Sequence, residues 1–341
     1  MFKIKKIEDV EFYISKNIKG MEEYATKRKE EINRRFKKVI SFKKKDRDTI
    51  LLDKRKDLEL DKIDYLRTKF INDINNIIKN IPDLERIDNI YIELLKTYDI
   101  RKEDIKESLG RLKFIKNKIE EISENSIGKI KRTKNIKSIG FIFNKFLGRT
   151  TSLLKRNKKY FEKLDYFRKV ANRLPVFLDL KTVAIAGVPN VGKSTLLKKI
   201  TGSDVEIQNY PFTTKNLMFG YISQYDRRKI QLIDTPGLLE RDKKNNIEER
   251  GNVIIKNKAD LITFVFDLTE SCGYQVKTQL KLLNRIKNIT DKNIVIYLSK
   301  TDVYDDYCLE RKEEIINNKL KKNYLIFEDY NKLKDYLLKL K

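Results

Sequence analysis

The 341-residue sequence predicts two domains of different classes. An all-α helical bundle is expected over residues 1–175, followed over residues 176–341 by an α/β domain with a mostly parallel sheet and helices on both faces. Residues 8–172 contain a single proline and are rich in Lys, Glu, Ile and Leu. Their apolar residues recur at spacings of three and four, as on one face of a helix. Beyond Pro175, short apolar runs alternate with helical patterns, which favours strands joined by helices.

The helical part is predicted to contain four to six helices. Its two clearest apolar stripes are Leu84-Ile87-Ile90-Leu94-Leu95 and Leu109-Leu112-Ile115-Ile119-Ile122. Polar residues, glycine and proline predict breaks at residues 42–46, 80–83, 98–101 and 125–128. Residues 21–80 carry enough charge for two solvated helices that form a hairpin.

In the α/β part, strands and helices are predicted to alternate after a junction at Arg173-Leu-Pro175. The predicted strands are Lys181–Ala186, Asn216–Ile222, Lys229–Asp234, Leu261–Asp267, Asn293–Leu298 and Tyr324–Phe327. The predicted helices are Lys193–Ile200, Asn252–Ala259, Gln275–Lys287, Leu309–Lys322 and Asn331–Leu340. The second and third strands are expected to form a hairpin through residues 224–226.

The composition limits the possible partners and locations. The formal net charge is +26, and most of the excess lies before the first strand, so the helical part is expected to contact a polyanion. Two cysteines far apart, Cys272 and Cys308, make no disulfide framework, which is typical of a reducing compartment. The absence of histidine excludes His-based catalysis and the usual zinc sites. Without an apolar run of about 20 residues or a signal-peptide core, we expect a cytoplasmic protein that does not bind membranes.

A glycine-rich motif follows the first predicted strand. Residues 187–194 read GVPNVGKS, which matches GxxxxGK[ST], the loop whose backbone N–H groups bind phosphates at a helix N-terminus. A DxxG motif, residues 234–237, ends the third predicted strand, and its glycine N–H is expected at the γ-phosphate. The predicted phosphate-binding residues are Asn190, Val191, Gly192, Lys193, Ser194, Thr195 and Gly237.

The same motifs predict a Mg²⁺ site. The Ser194 hydroxyl is expected to coordinate the ion, and Asp234 to hold it from the second side, usually through water. Residues 210–215, YPFTTK, are expected to supply a hydroxyl when a triphosphate is bound. Thr214 is the preferred ligand, and Thr213 is the alternative. Loss of the γ-phosphate would remove these contacts, so the neighbouring loops would relax.

The base is predicted from the residues after the strand Asn293–Leu298. Ser299, Lys300 and Asp302 fit an NKxD element in which serine replaces asparagine. A carboxylate at Asp302 can accept hydrogen bonds from the N1–H and the exocyclic amine of guanine, whereas adenine presents neither group. The expected ligands are therefore GTP and GDP. A following SA-type element is not recognisable in residues 327–330.

The surroundings of the DxxG motif predict slow intrinsic hydrolysis. Gly237 is followed by Leu238, where some GTPases have a glutamine that orients water, and the chain has no histidine. Positioning and Mg²⁺ would then be the only means of catalysis. Asn190 is compatible with a monovalent cation that bridges the phosphates, in which case K⁺ would accelerate hydrolysis over Na⁺.

Residues 125–161 contain eleven basic residues and no acidic one. Such a run is either a solvated helix face or a surface for a phosphate backbone, and the missing acid favours the second. Binding would weaken steeply with salt. The interleaved aromatic residues Phe141, Phe143, Phe146 and Tyr160 are expected in the core of the bundle. The RNA-binding candidates are Lys129, Lys131, Arg132, Lys134, Lys137, Lys145, Arg149, Lys155, Arg156, Lys158 and Lys159.

The motifs together resemble one family. GVPNVGKST, YPFTTK, DTPGLL and DLTESCG are similar to those of the nucleolar GTP-binding protein (Nog) group of Obg-related P-loop GTPases and its archaeal relatives. The similarity extends into the helical part at Tyr91–Leu95, Leu109-Gly110, Leu147–Arg149, Leu153–Arg156 and Arg173–Pro175. It implies a factor of large ribosomal subunit precursors, with the helical domain on rRNA. Because the chain lacks the C-terminal extension of the eukaryotic members, we expect a minimal, archaeal-type form that is monomeric when free.

Two hypotheses about function remain open. In the first, GTP binding orders the loops at Thr214 and Gly237, the helical domain engages rRNA, and hydrolysis releases the protein. In the second, the chain is an RNA-binding assembly module whose nucleotide site is weak or structural. The intact phosphate and metal positions favour the first. A membrane-linked transporter GTPase is disfavoured because no membrane span is found.

Overall fold

The computed structural model describes residues 2–42, 47–202, 205–209, 216–224, 227–235, 246–320 and 323–340. The helices are α1 Val10–Phe42, α2 Arg47–Asn80, α3 Asn89–Lys96, α4 Lys102–Arg132, α5 Ile136–Arg156, α6 Lys158–Ala171, α7 Lys193–Thr201, α8 Asn246–Asn257, α9 Val276–Ile289, α10 Asp306–Arg311 and α11 Tyr330–Leu338. The strands are β1 Lys181–Ala186, β2 Val205–Asn209, β3 Asn216–Gln224, β4 Arg227–Asp234, β5 Leu261–Phe266, β6 Asn293–Leu298 and β7 Leu325–Phe327.

The chain divides into two compact units, which confirms the predicted fold class. A helical unit contains Phe2–Arg86 and Ile100–Asn172, and an α/β unit contains Ile87–Asp99 and Arg173–Lys341. Helix α3 therefore packs within the α/β unit, although it precedes three helices of the helical unit in sequence. The domain boundary at residue 175 stays a prediction.

The first two helices form the predicted hairpin. Lys16 pairs with Asp73 at 2.9 Å, and Arg28 pairs with Asp61 at 2.7 Å, so partner numbers fall along α2 as they rise along α1. This order requires antiparallel helices. The apolar stripes of α1 and α2 are buried while the charged faces meet water and each other.

Helix α4 shows that the predicted break at residues 125–128 is wrong. The helix continues to Arg132, and its buried stripe extends from Ile105 to Ile130. Two serines in this stripe satisfy their hydroxyls within the helix: Ser123 donates to the Ile119 carbonyl at 2.7 Å, and Ser126 donates to the Ile122 carbonyl at 2.8 Å. Serine on a buried helix face is tolerated in this way, so small polar residues did not mark an end.

Sequence reasoning missed two breaks, one at residues 133–135 between α4 and α5 and one at Asn157 between α5 and α6. At the second break Asn157 decides the turn. This residue is buried, accepts a hydrogen bond from Arg111 Nε at 2.7 Å, and donates from Nδ2 to the Leu153 carbonyl at 2.7 Å. The asparagine thus replaces helical hydrogen bonds by side-chain ones. Its partner Arg111 is distant in sequence, so no local pattern indicates this turn.

The α/β unit contains one seven-stranded sheet in the order β2-β3-β4-β1-β5-β6-β7. Strand β1 lies between β4 and β5 and pairs parallel with both, and β6 and β7 continue the parallel part. Strands β3 and β4 form the predicted antiparallel hairpin, and β2 pairs antiparallel with β3. The carboxyl ends of the parallel strands therefore meet at one edge, where open α/β sheets bind ligands.

Both faces of the sheet are covered. Helices α7, α9 and α11 contribute Leu197, Leu283 and Leu333 to one large apolar cluster with β1, β5 and β6. Phe219 of β3 and Ile254 of α8 belong to a second apolar cluster. Strands β1 and β5 are buried at nearly every position, as expected for strands covered on both sides.

Three elements differ from the prediction. Helix α8, predicted at Asn252–Ala259, begins six residues earlier, at Asn246. Strand β2 was missed because it is a short edge strand in which Ile207 is exposed and the remaining residues are mostly polar. The predicted helix Leu309–Lys322 begins earlier, since Asp305 caps α10 by accepting from the Cys308 N–H at 2.8 Å, and it continues as a π-helix over Lys312–Leu320. Among the described helices, none has the length and apolar character that crossing a membrane would require.

Candidate nucleotide site

The P-loop connects the carboxyl end of β1 to α7. Gly187 has φ 149° and Gly192 has φ 103°, both in the region that favours glycine. Val191 is fully buried, so its side chain anchors the loop and only its backbone can face a ligand. Asn190 is exposed at the loop with φ 57°, and Ser194 and Thr195 lie in the exposed first turn of α7. The predicted phosphate-binding residues 190–195 thus lie together in the P-loop and the first turn of α7.

We expect Gly187→Ala to destabilise the α/β unit. A Cβ at this position would lie 2.7 Å from the Val265 carbonyl oxygen, which is backbone and cannot rotate away. Strain and overlap together should lower the free energy of unfolding by about 3 kcal/mol. The matched control is Gly202→Ala, which also has a positive φ but meets nothing within 4 Å and should lose only about 1 to 2 kcal/mol. Urea unfolding of both variants measures the difference, and equal losses would contradict this explanation.

Lys193 is buried at the start of α7, with 8% of its surface exposed. Its ammonium group donates a 2.9 Å hydrogen bond to the Val188 carbonyl of the same loop. An ammonium group on the phosphate side of the loop adds a positive charge to the dipole of the α7 N-terminus. The arrangement suits an anionic ligand.

Ser194 and Asp234 join the P-loop to the end of β4. The serine hydroxyl donates to Asp234 Oδ2 at 2.5 Å, while Oδ1 of the same carboxylate is buried and has no hydrogen-bond partner among the described residues. Burial raises the pKa of the Asp234 carboxyl, although the nearby Lys193 charge and the Ser194 hydrogen bond act in the opposite direction. Thr235 fixes this strand end by donating from Oγ1 to the Ile185 carbonyl at 2.8 Å.

Several predicted residues lie outside the described residues. Thr213, Thr214, Gly237 and Leu238 belong to this group, so their roles stay predictions. Among the residues that the structure describes, no group of three or more Cys, Asp or Glu side chains could hold a metal ion. A Mg²⁺ ion held by one hydroxyl, one carboxylate and phosphate oxygens does not require such a group.

The predicted guanine element lies beside the P-loop. Ser299 follows β6 and is buried, and its Cβ would be 3.7 Å from a Cβ placed on Gly192. Its backbone N–H and its hydroxyl both donate to the Phe266 carbonyl, at 2.9 Å and 3.2 Å. Lys300 has a left-handed φ of 56°, and Asp302 is exposed in the 3₁₀ turn Thr301–Val303. The phosphate loop and the base element therefore share one edge of the sheet.

Asp267 supports this element and was not assigned a role from the sequence. It is fully buried directly after β5, and Lys300 Nζ donates to its Oδ2 at 2.8 Å. The same carboxylate accepts from the Thr269 hydroxyl at 2.5 Å and from the Cys272 N–H at 2.9 Å. We name Asp267 and these three donors the Asp267 clamp. An acidic residue at the end of a buried strand with a single polar residue, Thr263, is the sequence signal that could have indicated it.

A buried glutamine holds the backbone of the clamp. Gln279 on α9 accepts from the Asp267 N–H at 2.9 Å and donates to the Asp267 carbonyl at 2.8 Å. Glu270 has a φ of 59° and accepts from the Val276 N–H at 2.7 Å, which caps the start of α9. Because backbone and side chain of Asp267 are both fixed, the position of Lys300 is fixed as well.

We expect Asp267→Ala to weaken nucleotide binding and to lower stability. The change leaves Lys300 and four N–H or O–H donors, from Thr269, Ser271 and Cys272, without this acceptor, and hydrogen bonds to a charged group are worth about 1.5 to 3 kcal/mol each. We expect a loss of tenfold or more in GDP affinity, measured by titration calorimetry, and a loss of about 2 to 3 kcal/mol in unfolding free energy. The control is Asp260→Asn, since Asp260 accepts from the Thr182 N–H at the opposite edge of the sheet.

The clamp also predicts a dependence of stability on pH. Burial alone would raise the pKa of Asp267, but the hydrogen bonds from Lys300, Thr269 and Cys272 outweigh it and hold the pKa below its ordinary value. The stabilisation is therefore present above the pKa of an unfolded aspartate, about 3.9, and is lost as pH falls through the lower folded value. Asp267→Asn should lack this acid-dependent part, which denaturation at several acidic pH values would detect.

The eleven RNA-binding candidates lie on the helical unit, from the last turn of α4 to the first turn of α6. All are exposed except Lys158, which is half-buried. Two of them are paired with acids from the start of the chain: Lys155 with Glu11 at 3.1 Å, and Lys158 with Asp9 at 2.9 Å. The run thus contains no acidic residue of its own, but the positive charge at its C-terminal end is partly neutralised by acidic residues from the start of the chain.

The aromatic residues of this run do not all lie in the core. Phe143 and Phe146 are buried as expected, and Tyr160 is half-buried. Phe141 is 68% exposed, so its predicted core position is wrong. The prediction failed because periodicity assigns one stripe of α5 to the core, and Phe141 lies on the other side of the helix.

The mostly parallel sheet, the P-loop between β1 and α7, and the aspartate at the end of β4 define a P-loop GTPase. Comparison with known families agrees. A family model of the NOG1 N-terminal helical domain matches residues 24–178, and a model of the 50S ribosome-binding GTPase matches residues 182–300. The chain belongs to the Nog group of Obg-related P-loop GTPases, which confirms the resemblance seen in the motifs.

Individual relatives extend this comparison. An uncharacterized protein from Methanocaldococcus jannaschii is 35% identical over 251 residues, which cover 73% of this chain and 70% of that protein. Nucleolar GTP-binding protein 1 from Encephalitozoon cuniculi is 33% identical over 268 residues, which cover 77% of this chain but only 50% of that protein. A crystal structure described as nucleolar GTP-binding protein 1 from Plasmodium falciparum is 29% identical, covers 49% of this chain and 90% of that one, and has a TM-score of 0.37.

The cytoplasmic location that we expected from the sequence is wrong. The eukaryotic relatives are named nucleolar GTP-binding proteins. The lack of a signal-peptide core and of a long apolar run does not distinguish the cytoplasm from the nucleolus, because neither compartment requires such a segment.

Proposed function

We propose that this chain is a GTP-binding and GTP-hydrolysing switch in large ribosomal subunit assembly, and that its basic helical unit binds rRNA. The observation that carries the proposal is the 2.5 Å hydrogen bond from Ser194 to Asp234, which brings the P-loop and the DxxG strand to one point. The description of the matching GTPase family, 50S ribosome-binding, supports a ribosomal partner.

The donor set at this point suits Mg²⁺. A serine hydroxyl and a carboxylate are hard oxygen ligands, and Asp234 Oδ1 is buried without a partner among the described residues. When bound, Mg²⁺ would neutralise charge on the phosphate oxygens. The chain would contribute Lys193 and the backbone N–H groups of residues 190–195 to the phosphates, Thr214 and Gly237 to the triphosphate state, and Ser299, Lys300 and Asp302 to guanine.

A contact within the α/β unit supports the switch. Helix α8 is the first described element after the DxxG motif, and its Arg250 is buried. The Arg250 guanidinium lies 3.8 Å from the centroid of the Tyr98 ring, and its Nε donates to Thr97 Oγ1 at 3.2 Å. Both partners follow α3, and the chain continues from both ends of Ile87–Asp99 into the helical unit. A shift of α8 on loss of the γ-phosphate would therefore displace residues 97–98, which belong to the segment Ile87–Asp99 that the chain joins to the helical unit.

The hydrolytic rate is proposed to be slow. The chain has no histidine, and Leu238 follows the DxxG motif, so no described or adjacent side chain is suited to activate water. Turnover well above about 1 per second without a partner, at the lower end of typical enzyme rates, would contradict this. The exposed position of Asn190 in the P-loop is compatible with a bridging K⁺ ion, and equal rates in K⁺ and Na⁺ would rule out that role.

One observation favours the alternative of an RNA-binding module with a weak nucleotide site. The Ser299 hydroxyl donates to the Phe266 carbonyl at 3.2 Å, below the P-loop. The serine side chain is shorter than that of the asparagine in the usual NKxD element. The hydrogen bonds that the asparagine amide would make are therefore lost. The intact phosphate side of the site, with Lys193, Ser194 and Asp234 in place, outweighs this loss.

Sedimentation of the protein with large-subunit particles tests the proposal. A switch should associate more strongly with a non-hydrolysable GTP analogue than with GDP, and crosslinks should map from the helical unit to rRNA. Association that is unaffected by nucleotide and by Lys193→Ala would support the module instead. Failure to associate with the particles or their RNA under any nucleotide would reject both.

A further inference from the structure

Phe141 is the most exposed large hydrophobic side chain among the described residues. The buried stripe of α5 consists of Ile139, Phe143, Phe146, Thr150 and Leu154. At about 100° per residue, Phe141 lies on the side of the helix opposite to this stripe. Its ring is therefore exposed because of its position on the helix, and not because the core is poorly packed at this point.

The surface around this ring is positively charged. Lys137 and Lys145 lie four residues before and after Phe141, about 6 Å along the helix axis in each direction. Lys145 Nζ is 5.9 Å from the centroid of the Phe141 ring. Helix α5 contains no acidic residue, and within the described part of the chain no carboxylate pairs with Lys137, Lys145 or Arg149. We name Phe141 with these three cations the α5 platform.

The α5 platform differs from the end of the basic run. Lys155 and Lys158 are held by Glu11 and Asp9, so part of their charge is already compensated. By contrast, Lys137 and Lys145, which lie four residues before and after the exposed ring, have no carboxylate partner among the described residues. Charge and exposed aromatic surface thus coincide at one place on the helical unit.

We propose that Phe141 stacks on an unpaired base of RNA whose neighbouring phosphates contact Lys137 and Lys145. This inference rests on the proposed RNA binding by the helical unit. An aromatic side chain among cations is the surface that single-stranded RNA uses, because every base has a flat face and every linkage is anionic. Bases in a duplex are stacked on each other and cannot reach the ring. An apolar protein partner would need a wider apolar surface than one ring surrounded by lysine and arginine.

Phe141→Ala in the full-length protein tests the proposal. Two RNAs of equal length are compared by fluorescence anisotropy, a hairpin with an unpaired loop and a fully paired duplex. A stacked base is worth about 1 to 3 kcal/mol, so affinity for the loop RNA should fall about 5-fold to 150-fold, while duplex affinity should change less than about twofold. Phe141→Trp should retain loop binding, and Phe141→Leu should lose it because leucine is apolar but cannot stack.

Matched controls are available on the same unit. Phe12 and Phe114 are also exposed, on α1 and α4, so Phe12→Ala and Phe114→Ala should leave both affinities unchanged.

Lys145→Ala should reduce the slope of log affinity against log salt by about 0.7 to 0.9.

Three outcomes would overturn the inference in different ways. If Phe141→Leu binds loop RNA as tightly as the unchanged protein, the ring contributes only apolar contact area and stacking is wrong. If Phe141→Ala changes neither affinity while salt-dependent RNA binding persists, stacking is wrong and the proposed RNA binding stands. If the unchanged protein binds neither RNA, the proposed function of the helical unit fails as well.

Discussion

Replacing Asp302 with asparagine is expected to change the nucleotide preference from guanosine to xanthosine phosphates. The carboxylate of Asp302 is proposed to accept from the N1–H and the exocyclic amine of guanine. Asparagine can accept only at its oxygen, and its amide N–H₂ would face the guanine amine, which is donor against donor. Xanthine carries an oxygen where guanine carries this amine, so the asparagine amide would donate to it.

The expected effect is large because the hydrogen bonds to Asp302 are charge-assisted. Each is worth about 1.5 to 3 kcal/mol, so GDP affinity should fall about 100-fold or more, while XDP affinity should rise. Titration with fluorescent analogues of both nucleotides measures the change. Asp305→Asn is the control, because this neighbouring carboxylate caps α10 through the Cys308 N–H and asparagine can replace it as a cap. If Asp302→Asn retains a preference for guanine, the base is selected elsewhere.

The parts of the fold that the sequence predicts well are those in which one local pattern decides the structure. Strands β1 and β6 begin and end where predicted, because apolar runs buried on both faces contrast sharply with their polar ends. The P-loop is also predicted, since its glycines satisfy backbone angles that other residues avoid. In each case the deciding interaction lies within a few residues of the motif.

The features that were missed depend on distant partners. Asn157 ends α5 with the help of Arg111, and Asp9 and Glu11 neutralise lysines at the opposite end of the helical unit's sequence. The Asp267 clamp joins residues after β5 to Lys300 after β6, which become neighbours only when the two strands pair. Periodicity cannot indicate such contacts, because it describes which face of an element is buried and not what lies against that face.

Lys193→Ala is expected to abolish measurable binding of GTP while it leaves the fold of the free protein intact. In the structure the ammonium group donates to the Val188 carbonyl of the same loop, a contact within one loop whose loss the fold of the free protein should tolerate. In the complex, the same ammonium group would contact the β- and γ-phosphates of the triphosphate. The attraction between these charges is stronger inside the low-dielectric loop than in water. The effect should therefore appear in the complex and not in the free protein.

Thermal unfolding separates these two states. A ligand at 100 times its dissociation constant stabilises a protein by about 2.7 kcal/mol, so GTP with Mg²⁺ should raise the unfolding temperature of the unchanged protein and not that of Lys193→Ala. Lys198→Ala is the control, because Lys198 lies on the same helix but is exposed beyond the P-loop turn. Its response to GTP should equal that of the unchanged protein. If Lys193→Ala is still stabilised by GTP, the phosphates are held by the backbone N–H groups and the α7 dipole alone, and the ammonium group serves the loop.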